Sequence, residues 1–196
     1  MVIKHTMYYL YSWIKLNILT IVRYTNMEQK NNLLTLTEIY KGMLAEQLAA
    51  EKKYQKLFSK MPASVQTDEL KSAIAPNATD IESHISRLSR AMESVKQKSQ
   101  TQVPAIDETM LESLKQSVGK GSSLVKDTGI LHTLLAIFNL KVARYESLQR
   151  MATAIDQAEY ALLLEQCGKD NQNTAAYLNQ IAQNIIYPEM QKMNAC

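Results

Sequence analysis

An apolar stripe recurs four times along this chain, each time at steps of three and four residues. That spacing lines one side of an α-helix, so each stripe predicts a long amphipathic helix. The 196 residues include only five glycines and four prolines, and β-branched or aromatic runs bounded by turn residues are absent after residue 26. We therefore expect an all-α fold. The stripes consist of Leu36, Tyr40, Leu44, Leu48, Tyr54 and Phe58; Leu70, Ile74, Ile81, Leu88, Met92 and Val95; Leu131, Leu134, Phe138, Tyr145, Leu148 and Ala152; and Leu163, Cys167, Tyr177, Ile181 and Ile185.

Local signals set the expected ends of the first two helices. The first should end near Pro62. Pro76 lies inside the second and predicts a kink or a late start, because proline cannot donate the helical hydrogen bond. Residues 97–105 are a polar linker, and a short helix of roughly residues 107–118 should follow it.

The third and fourth helices carry signals of their own. Asp127 is placed to cap the third helix at its N-terminus, and Pro188 should stop the fourth. The segment CGKDNQNT, residues 167–174, is poor helix sequence that could break the fourth helix. Four long helices and one short crossover helix together predict an antiparallel four-helix bundle.

Charge is divided unevenly between the start of the chain and the rest. Lys4, Lys15 and Arg23 are the only charged residues before Met27, so the net charge of +3 belongs to that segment and the remainder carries 19 basic and 19 acidic residues. This balanced remainder lacks the basic footprint of a nucleic-acid-binding protein, so nucleic acid is not expected as a partner. The two cysteines form no CxxC motif, which fits a reducing cytosol and predicts a cytoplasmic location.

Residues 1–26 are predicted to be an N-terminal extension, with the bundle in residues 27–196. Lys15 and Asn17 interrupt the apolar run of the extension, which falls short of the roughly 18 apolar residues of a transmembrane helix. The small-residue cleavage site of a secretory signal is also missing. The segment is either an upstream extension before a start at Met27 or an interfacial or packing helix. A membrane anchor is the remaining alternative, although a membrane partner is not expected.

Each long helix carries a charged or amide side chain where its stripe requires an apolar one. If the helices align as a bundle, these side chains converge at one level. An isolated buried charge is costly, so each charged group must pair, bind an ion or reach water. The alternatives are an ordinary solvated or capping position for the carboxylates, a hydrogen-bonded core position for the histidine, and for lysine a side chain that extends to the surface. The residues are Glu51 on the first helix, Asn77, Asp80 and His84 on the second, Lys141 on the third and Asp170 on the fourth.

Four segments resemble one known family, the YciE/YciF-type ferritin-like proteins, a bacterial domain of unknown function. LAAEKKYQKLFSKMP resembles the first helix of that family and LKSAIAPNATDIESHISRLSRAM the second. KDTGILHTLLAIFNLKVARYESLQRMA and ALLLEQCGKDNQNTAAYLNQIA resemble the third and the fourth. The resemblance covers roughly residues 33–185 and implies a ferritin-like four-helix bundle with a short crossover helix. Folds of this kind hold a metal pair between carboxylates and histidines that project inward from the four helices.

The resemblance also implies which metal ligands this chain keeps. The glutamate of the first helix is kept as Glu51, and the histidine of the second as His84. Asp80 stands for an acidic residue of the family pattern, whereas Asn77 replaces an earlier histidine. These positions predict a residual metal site on Glu51, Asp80, His84 and Asp170.

The third helix has lost its ligands altogether. Phe138, Asn139 and Lys141 stand where the family has glutamate, histidine and glutamate. On the fourth helix, an acidic triplet has become Lys169, Asp170 and Asn171. Because two divalent ions need bridging carboxylates, an ammonium and a phenyl ring at ligand positions argue against a metal pair. We expect Lys141 to supply the positive charge instead, in a core polar cluster with Glu51 and Asn77.

Three functions remain open on this reading. The first is a non-catalytic, degenerate ferritin-like bundle, stress-associated by family resemblance and self-associating as a homodimer, with no cofactor. The second is a protein that retains a single iron, manganese or zinc ion on the residual ligands. The third is a membrane-associated helical protein anchored by residues 1–26. An enzyme is not expected, because GKGSS at residues 119–123 lacks the spacing of a phosphate-binding loop and no cysteine has an activating context.

Overall fold

The computed structural model describes residues 35–75, 77–99, 102–117 and 123–194, and within these ranges every regular element is helical. The all-α prediction is confirmed. Tyr40–Cys196 form one compact unit, and residues 35–39, also helical, belong to a separate unit. The elements are α1 (residues 35–58), a 3₁₀ turn (Met61–Ser64), α2 (Asp68–Ala73), α3 (Ile81–Ser94), α4 (Ala105–Ser117), α5 (Leu124–Ala154), α6 (Ala158–Ile181), a π-helical turn (Ala182–Ile186) and α7 (Tyr187–Asn194).

Contacts between side chains show that neighbouring long helices run antiparallel. The carboxylate of Glu146 on α5 accepts a hydrogen bond from Gln172 on α6, while the earlier His132 on α5 meets the later Tyr187 at the start of α7. The pair α1 and α5 is also antiparallel, and so is the pair α3 and α6. Helix α3 therefore runs parallel to α5, and such a pair needs a long return connection. The predicted bundle with its crossover helix is confirmed, and α4 makes the crossing.

The core consists of two apolar clusters, one toward each end of the bundle. Tyr54, Phe58 and Phe138 lie in one, and the first two rings stack at 5.8 Å while Phe58 and Phe138 lie 5.9 Å apart. Tyr40 and Tyr145 lie in the other. Since fully burying a large apolar side chain contributes about 1.5–3 kcal/mol, these clusters supply most of the driving force for folding.

The second helix is interrupted where its proline predicted a break. Helix α2 ends at Ala73, and α3 begins only at Ile81. A turn region with Asp80 in the left-handed conformation, at a φ of 50°, separates the two. The late start predicted from Pro76 is therefore confirmed by the position of α3.

The fourth helix does not break, which corrects one expectation. Helix α6 continues through residues 167–174 because the tertiary contacts favour it: Gly168 is buried facing Tyr145, and Asn171 is fully buried. Its buried face also differs from the predicted stripe. Leu163 is only half-buried and Tyr177 is 44% exposed, because polar residues occupy part of the true core face.

Pro188 does not end the fourth helix either. The chain passes from α6 into the π-helical turn and on into α7, where Pro188 is the second residue. Proline is tolerated in the first turn of a helix, and the wider π-helical turn shifts the hydrogen-bond register just before it. The predicted stop is therefore a change of helical register.

Asp127 caps a different helix from the one predicted. The N-cap of α5 is Ser123, whose hydroxyl accepts from the Lys126 amide at 3.2 Å. The fully buried Asp127 carboxylate instead accepts from the Gln66 amide at 3.0 Å and from the amide and hydroxyl of Thr67 at 2.7 and 2.6 Å. It thus satisfies amides at the start of α2, which has no side-chain cap of its own.

The predicted extension, residues 1–26, and its boundary at Met27 lie outside the described residues. Among the helices that are described, none is both long enough and apolar enough to cross a bilayer.

Candidate functional site

An ion pair lies at the centre of the bundle. Lys141 Nζ on α5 is 2.9 Å from Glu51 Oε2 on α1, and both side chains are fully buried. Neither atom makes an aligned hydrogen bond to another described residue, so the contact is primarily coulombic. Two charges removed from water are costly unless they neutralise each other, which explains why the pair forms between two helices.

The second oxygen of Glu51 is fully hydrogen-bonded. Oε1 accepts from Tyr145 Oη at 2.8 Å and from Gln47 Nε2 at 3.1 Å. Burial, together with the neighbouring Glu51 charge, raises the pKa of Tyr145 well above its usual value, so this phenol remains a proton donor. These two bonds fix the carboxylate and leave Oε2 facing Lys141.

Aromatic rings surround the Lys141 ammonium. Nζ lies 5.1 Å from the centre of the Phe138 ring and 5.8 Å from that of Tyr54. Rings at this distance attract a cation through their quadrupole, and a desolvated contact contributes roughly 2 kcal/mol. Phe138 therefore helps to stabilise the buried charge of Lys141.

A second carboxylate extends the network toward the crossover helix. Asp107 on α4 is fully buried, accepts from Tyr54 Oη at 2.9 Å and forms an ion pair with Arg144 Nη1 at 2.6 Å. Burial and the adjacent carboxylate raise the pKa of the Tyr54 phenol well above its usual range. Arg144 also approaches Gln47 Oε1 at 3.5 Å, which joins this group to the Glu51 pair.

A third group lies between α3 and α6. The fully buried His84 ring packs against Tyr145 with centroids 5.7 Å apart, and His84 Nε2 is 3.3 Å from Asp170 Oδ2. Arg87 donates to the same Asp170 oxygen at 2.7 Å and lies 3.8 Å from Cys167 Sγ. The polar network therefore involves all four long helices and α4.

The pKa values in this third group favour neutral histidine and ionised aspartate. Burial lowers the pKa of His84 and outweighs the opposing charges of Glu51 and Asp170. For Asp170, burial raises the pKa, but hydrogen bonds from Arg87 and Gln166 outweigh it and leave the pKa below its usual value. Burial raises the pKa of Cys167 to about 12, so its thiol is protonated and a poor nucleophile.

Two of the predicted site residues lie outside this centre. Asn77 and Asp80 are exposed in the turn before α3. Their predicted core positions are wrong because the helical stripe does not extend back past Ile81, so periodicity could not place them. Asn139 and Lys169, which the resemblance compares with metal-ligand positions, are also exposed.

The sequence reasoning missed Gln47, Asp107 and Arg144. Gln47 had a detectable signal, since it lies one turn before Glu51 on the same face of α1. Asp107 had none, because an acidic residue in the first turn of a short helix is an ordinary solvated feature. Only the docking of α4 against α5 buries it.

The arrangement does not fit the metal pair of ferritin-like folds. Lys141 Nζ lies against the Glu51 oxygen that a metal would need, and Asp170 is held by Arg87. Within the described ranges, no three histidine, cysteine, aspartate or glutamate side chains are grouped so as to hold a metal ion. The residual set of Glu51, Asp80, His84 and Asp170 is not brought together, because Asp80 lies at the surface.

Sequence comparison assigns the chain to a family. Residues 35–191 match the family described as "Domain of unknown function (DUF892)". The chain belongs to this family. The resemblance to YciE/YciF-type proteins is thereby confirmed, whereas no curated protein matches the sequence.

Solved structures with the same fold support this assignment. The stress protein YciF of E. coli has a TM-score of 0.70 at 18% identity, covering 76% of this chain and 95% of its own. YcfI from Rhodopseudomonas palustris gives a TM-score of 0.67 at 17% identity, covering 74% and 92%. Protein XCC3681 from Xanthomonas campestris gives 0.64 at 16%, covering 81% and 99%. Identities this low establish the shared helical-bundle fold and nothing about activity.

Proposed function

We propose that this protein is a non-catalytic, degenerate ferritin-like bundle in which a lysine–carboxylate cluster replaces the di-metal centre. The observation that supports this most directly is the fully buried Lys141–Glu51 pair at 2.9 Å. In a metal-binding bundle, cations neutralise the inward carboxylates. Here the ammonium neutralises Glu51, while Arg144 and Arg87 neutralise Asp107 and Asp170.

The burial of the centre supports a non-catalytic role. Lys141, Glu51 and His84 have no exposed surface, and the pKa of the one described cysteine is too high for nucleophilic chemistry at neutral pH. A substrate would therefore have to unpack the core before reaching any of these groups.

Metal analysis of the full chain, purified without chelator and then offered iron, manganese or zinc, tests the replacement. We expect no stoichiometric metal in the wild type. Lys141→Glu should bind more divalent metal than Lys169→Glu, which makes the same charge change at an exposed position on α6. Stoichiometric wild-type binding that is lost in His84→Ala would instead establish the single-ion alternative, with iron, manganese or zinc as cofactor.

The association with stress and the cytoplasmic location are part of the same proposal. YciF, which shares the fold, is described as a stress protein of E. coli. We expect the abundance of this chain in its native cells to rise under osmotic or oxidative challenge. Quantitative immunoblotting of fractionated cells would measure both the induction and the location, and an unchanged level would argue against the stress role.

Self-association as a homodimer completes the proposal. Its basis is the family resemblance, and exposed apolar side chains such as Leu162 and Met193 offer contact surface. Sedimentation equilibrium should give the mass of a dimer. A monomer at every concentration tested would remove the dimer and leave the rest of the proposal standing.

A further inference from the structure

Four polar side-chain atoms at the bundle centre have no hydrogen-bond partner among the described residues. They are Lys141 Nζ, Glu51 Oε2, His84 Nδ1 and Asn171 Oδ1, and all four side chains are fully buried. Buried polar atoms are nearly always satisfied by protein or by ordered water, because an unsatisfied one keeps the full cost of its desolvation. Four such atoms in one region point to a bound ligand.

Two of the four atoms are in direct contact, and the ring that carries the third packs against a neighbour of that pair. Lys141 Nζ touches Glu51 Oε2. Tyr145 donates its hydroxyl proton to the other oxygen of the same carboxylate, and its ring packs against His84. Residues from α1, α3 and α5 therefore meet at one level of the bundle.

Asn171 is placed at that level by the register of α6 against α5. A Cβ on Gly168 would lie 3.7 Å from the Cβ of Tyr145, so these two residues face each other. Because α5 and α6 are antiparallel, the residue one turn after Gly168 on α6 lies opposite the residue one turn before Tyr145 on α5. By this register, Asn171 lies at the level of Lys141 along the bundle. The Asn171 amide nitrogen donates to Cys167 O at 2.6 Å, which leaves its Oδ1 as the free acceptor.

The chemistry of the four atoms specifies the ligand. Lys141 is a donor, whereas the Glu51 and Asn171 oxygens are acceptors. His84 Nε2 faces the Asp170 carboxylate and must carry the ring proton, so Nδ1 is an acceptor too. The charges of Lys141 and Glu51 cancel, so the ligand should be neutral and small, accept one hydrogen bond and donate two. Water meets each requirement.

We propose that Lys141, His84 and Asn171 bind one internal water molecule, which accepts from Lys141 Nζ and donates to His84 Nδ1 and Asn171 Oδ1, while Glu51 Oε2 stays in its ion pair with Lys141. The inference rests on the proposed function, since it takes Lys141 as the cation in place of metal. Water then satisfies the polar groups that one ammonium cannot reach.

An atomic-resolution crystal structure of the full chain, with anomalous data to identify metals, tests this directly. We expect one solvent peak within hydrogen-bond distance of Lys141 Nζ, His84 Nδ1 and Asn171 Oδ1. Direct pairing of Lys141 with Asn171, without a solvent peak, would overturn the water site and leave the lysine-for-metal replacement intact. An anomalous metal peak at this position would overturn both.

Magnetic relaxation dispersion of water nuclei provides a test in solution. Asn171→Leu, which is close in size, should lose the contribution of one long-lived water relative to the wild type. Thr174→Val is the matched control, because it removes a buried hydroxyl on the same helix that already donates to Asp170 O. Equal signals in the wild type and Asn171→Leu would contradict the proposal.

Discussion

Replacing Lys141 with methionine would leave Glu51 as a buried carboxylate with no cation beside it. Methionine is unbranched and only one heavy atom shorter than lysine, so the packing against Phe138 and Tyr54 changes little. Removing one partner of a buried pair costs about 3–5 kcal/mol, whereas an exposed pair contributes at most about 1 kcal/mol. The Tyr145 and Gln47 hydrogen bonds remain on Glu51 Oε1, so we expect the lower end of this range, about 3 kcal/mol.

Denaturant unfolding, followed by circular dichroism, would measure this cost in free energy. A loss of about 3–5 kcal/mol in a protein of this size also lowers the Tm by roughly 6–20 °C. Adding Glu51→Gln to Lys141→Met removes the orphaned charge and should recover much of the loss. The matched control is Lys169→Met on α6, whose partner Glu165 is 42% exposed, and its effect should stay within about 0.5 kcal/mol.

A small effect would refute the reasoning. If Lys141→Met changes the unfolding free energy by less than about 1 kcal/mol, the ammonium is solvated in the native state and the buried pair does not exist. Equal losses in the single and double variants would also contradict it, because the cost would then come from packing and not from the unpaired charge.

Three further predictions concern the Asp127 cap, the His84 ring and the N-terminal segment. Asp127→Ala should lower the free energy of unfolding in urea by about 2–4 kcal/mol, because it leaves the buried donors of Thr67 without an acceptor. Asp127→Asn keeps an acceptor oxygen and should cost less. Equal losses in the two variants would contradict the capping role. Because burial holds the native pKa of His84 below 6.5, the unfolded state binds more protons, so stability should fall as pH drops through about 6.5 toward that native pKa. In His84→Gln, the free energy of unfolding should depend less steeply on pH in the same titration. An unchanged dependence would mean that another group titrates. Deleting residues 1–26 should preserve the helical circular dichroism and cooperative melting, and loss of the thermal transition would mean that these residues complete the core.

Much of the candidate site was accessible from the sequence because helical periodicity reports which residues share a face. Glu51, His84 and Lys141 fall on core steps of their stripes, and the structure buries all three. Periodicity failed for Asn77 and Asp80 because it assumes a continuous helix, and the chain there is a turn. Asp107 was missed for a different reason, since nothing local distinguishes it from a solvated residue in a first helical turn.

Local sequence also left the partner of each polar group undetermined. Asp127 occupies a position typical of an N-cap, yet its carboxylate bonds to amides some 60 residues away in the chain. Residues 167–174 have poor helix propensity, yet they lie in the middle of a continuous helix. Propensities of this kind amount to less than about 1 kcal/mol per residue, so tertiary packing overrides them readily.

The sequence by itself determined the number of long helices, their order, the crossover helix and the buried side of the first three long helices. These features follow from the spacing of apolar residues and from the positions of glycine and proline, whose effects on the backbone are local. Only the tertiary structure decided that Lys141 pairs with Glu51, that Arg144 reaches Asp107 and that Asp127 caps α2. Such pairings depend on the register of the helices across the bundle. A buried charge is stable only when it is paired, and the register decides which opposite charge lies close enough.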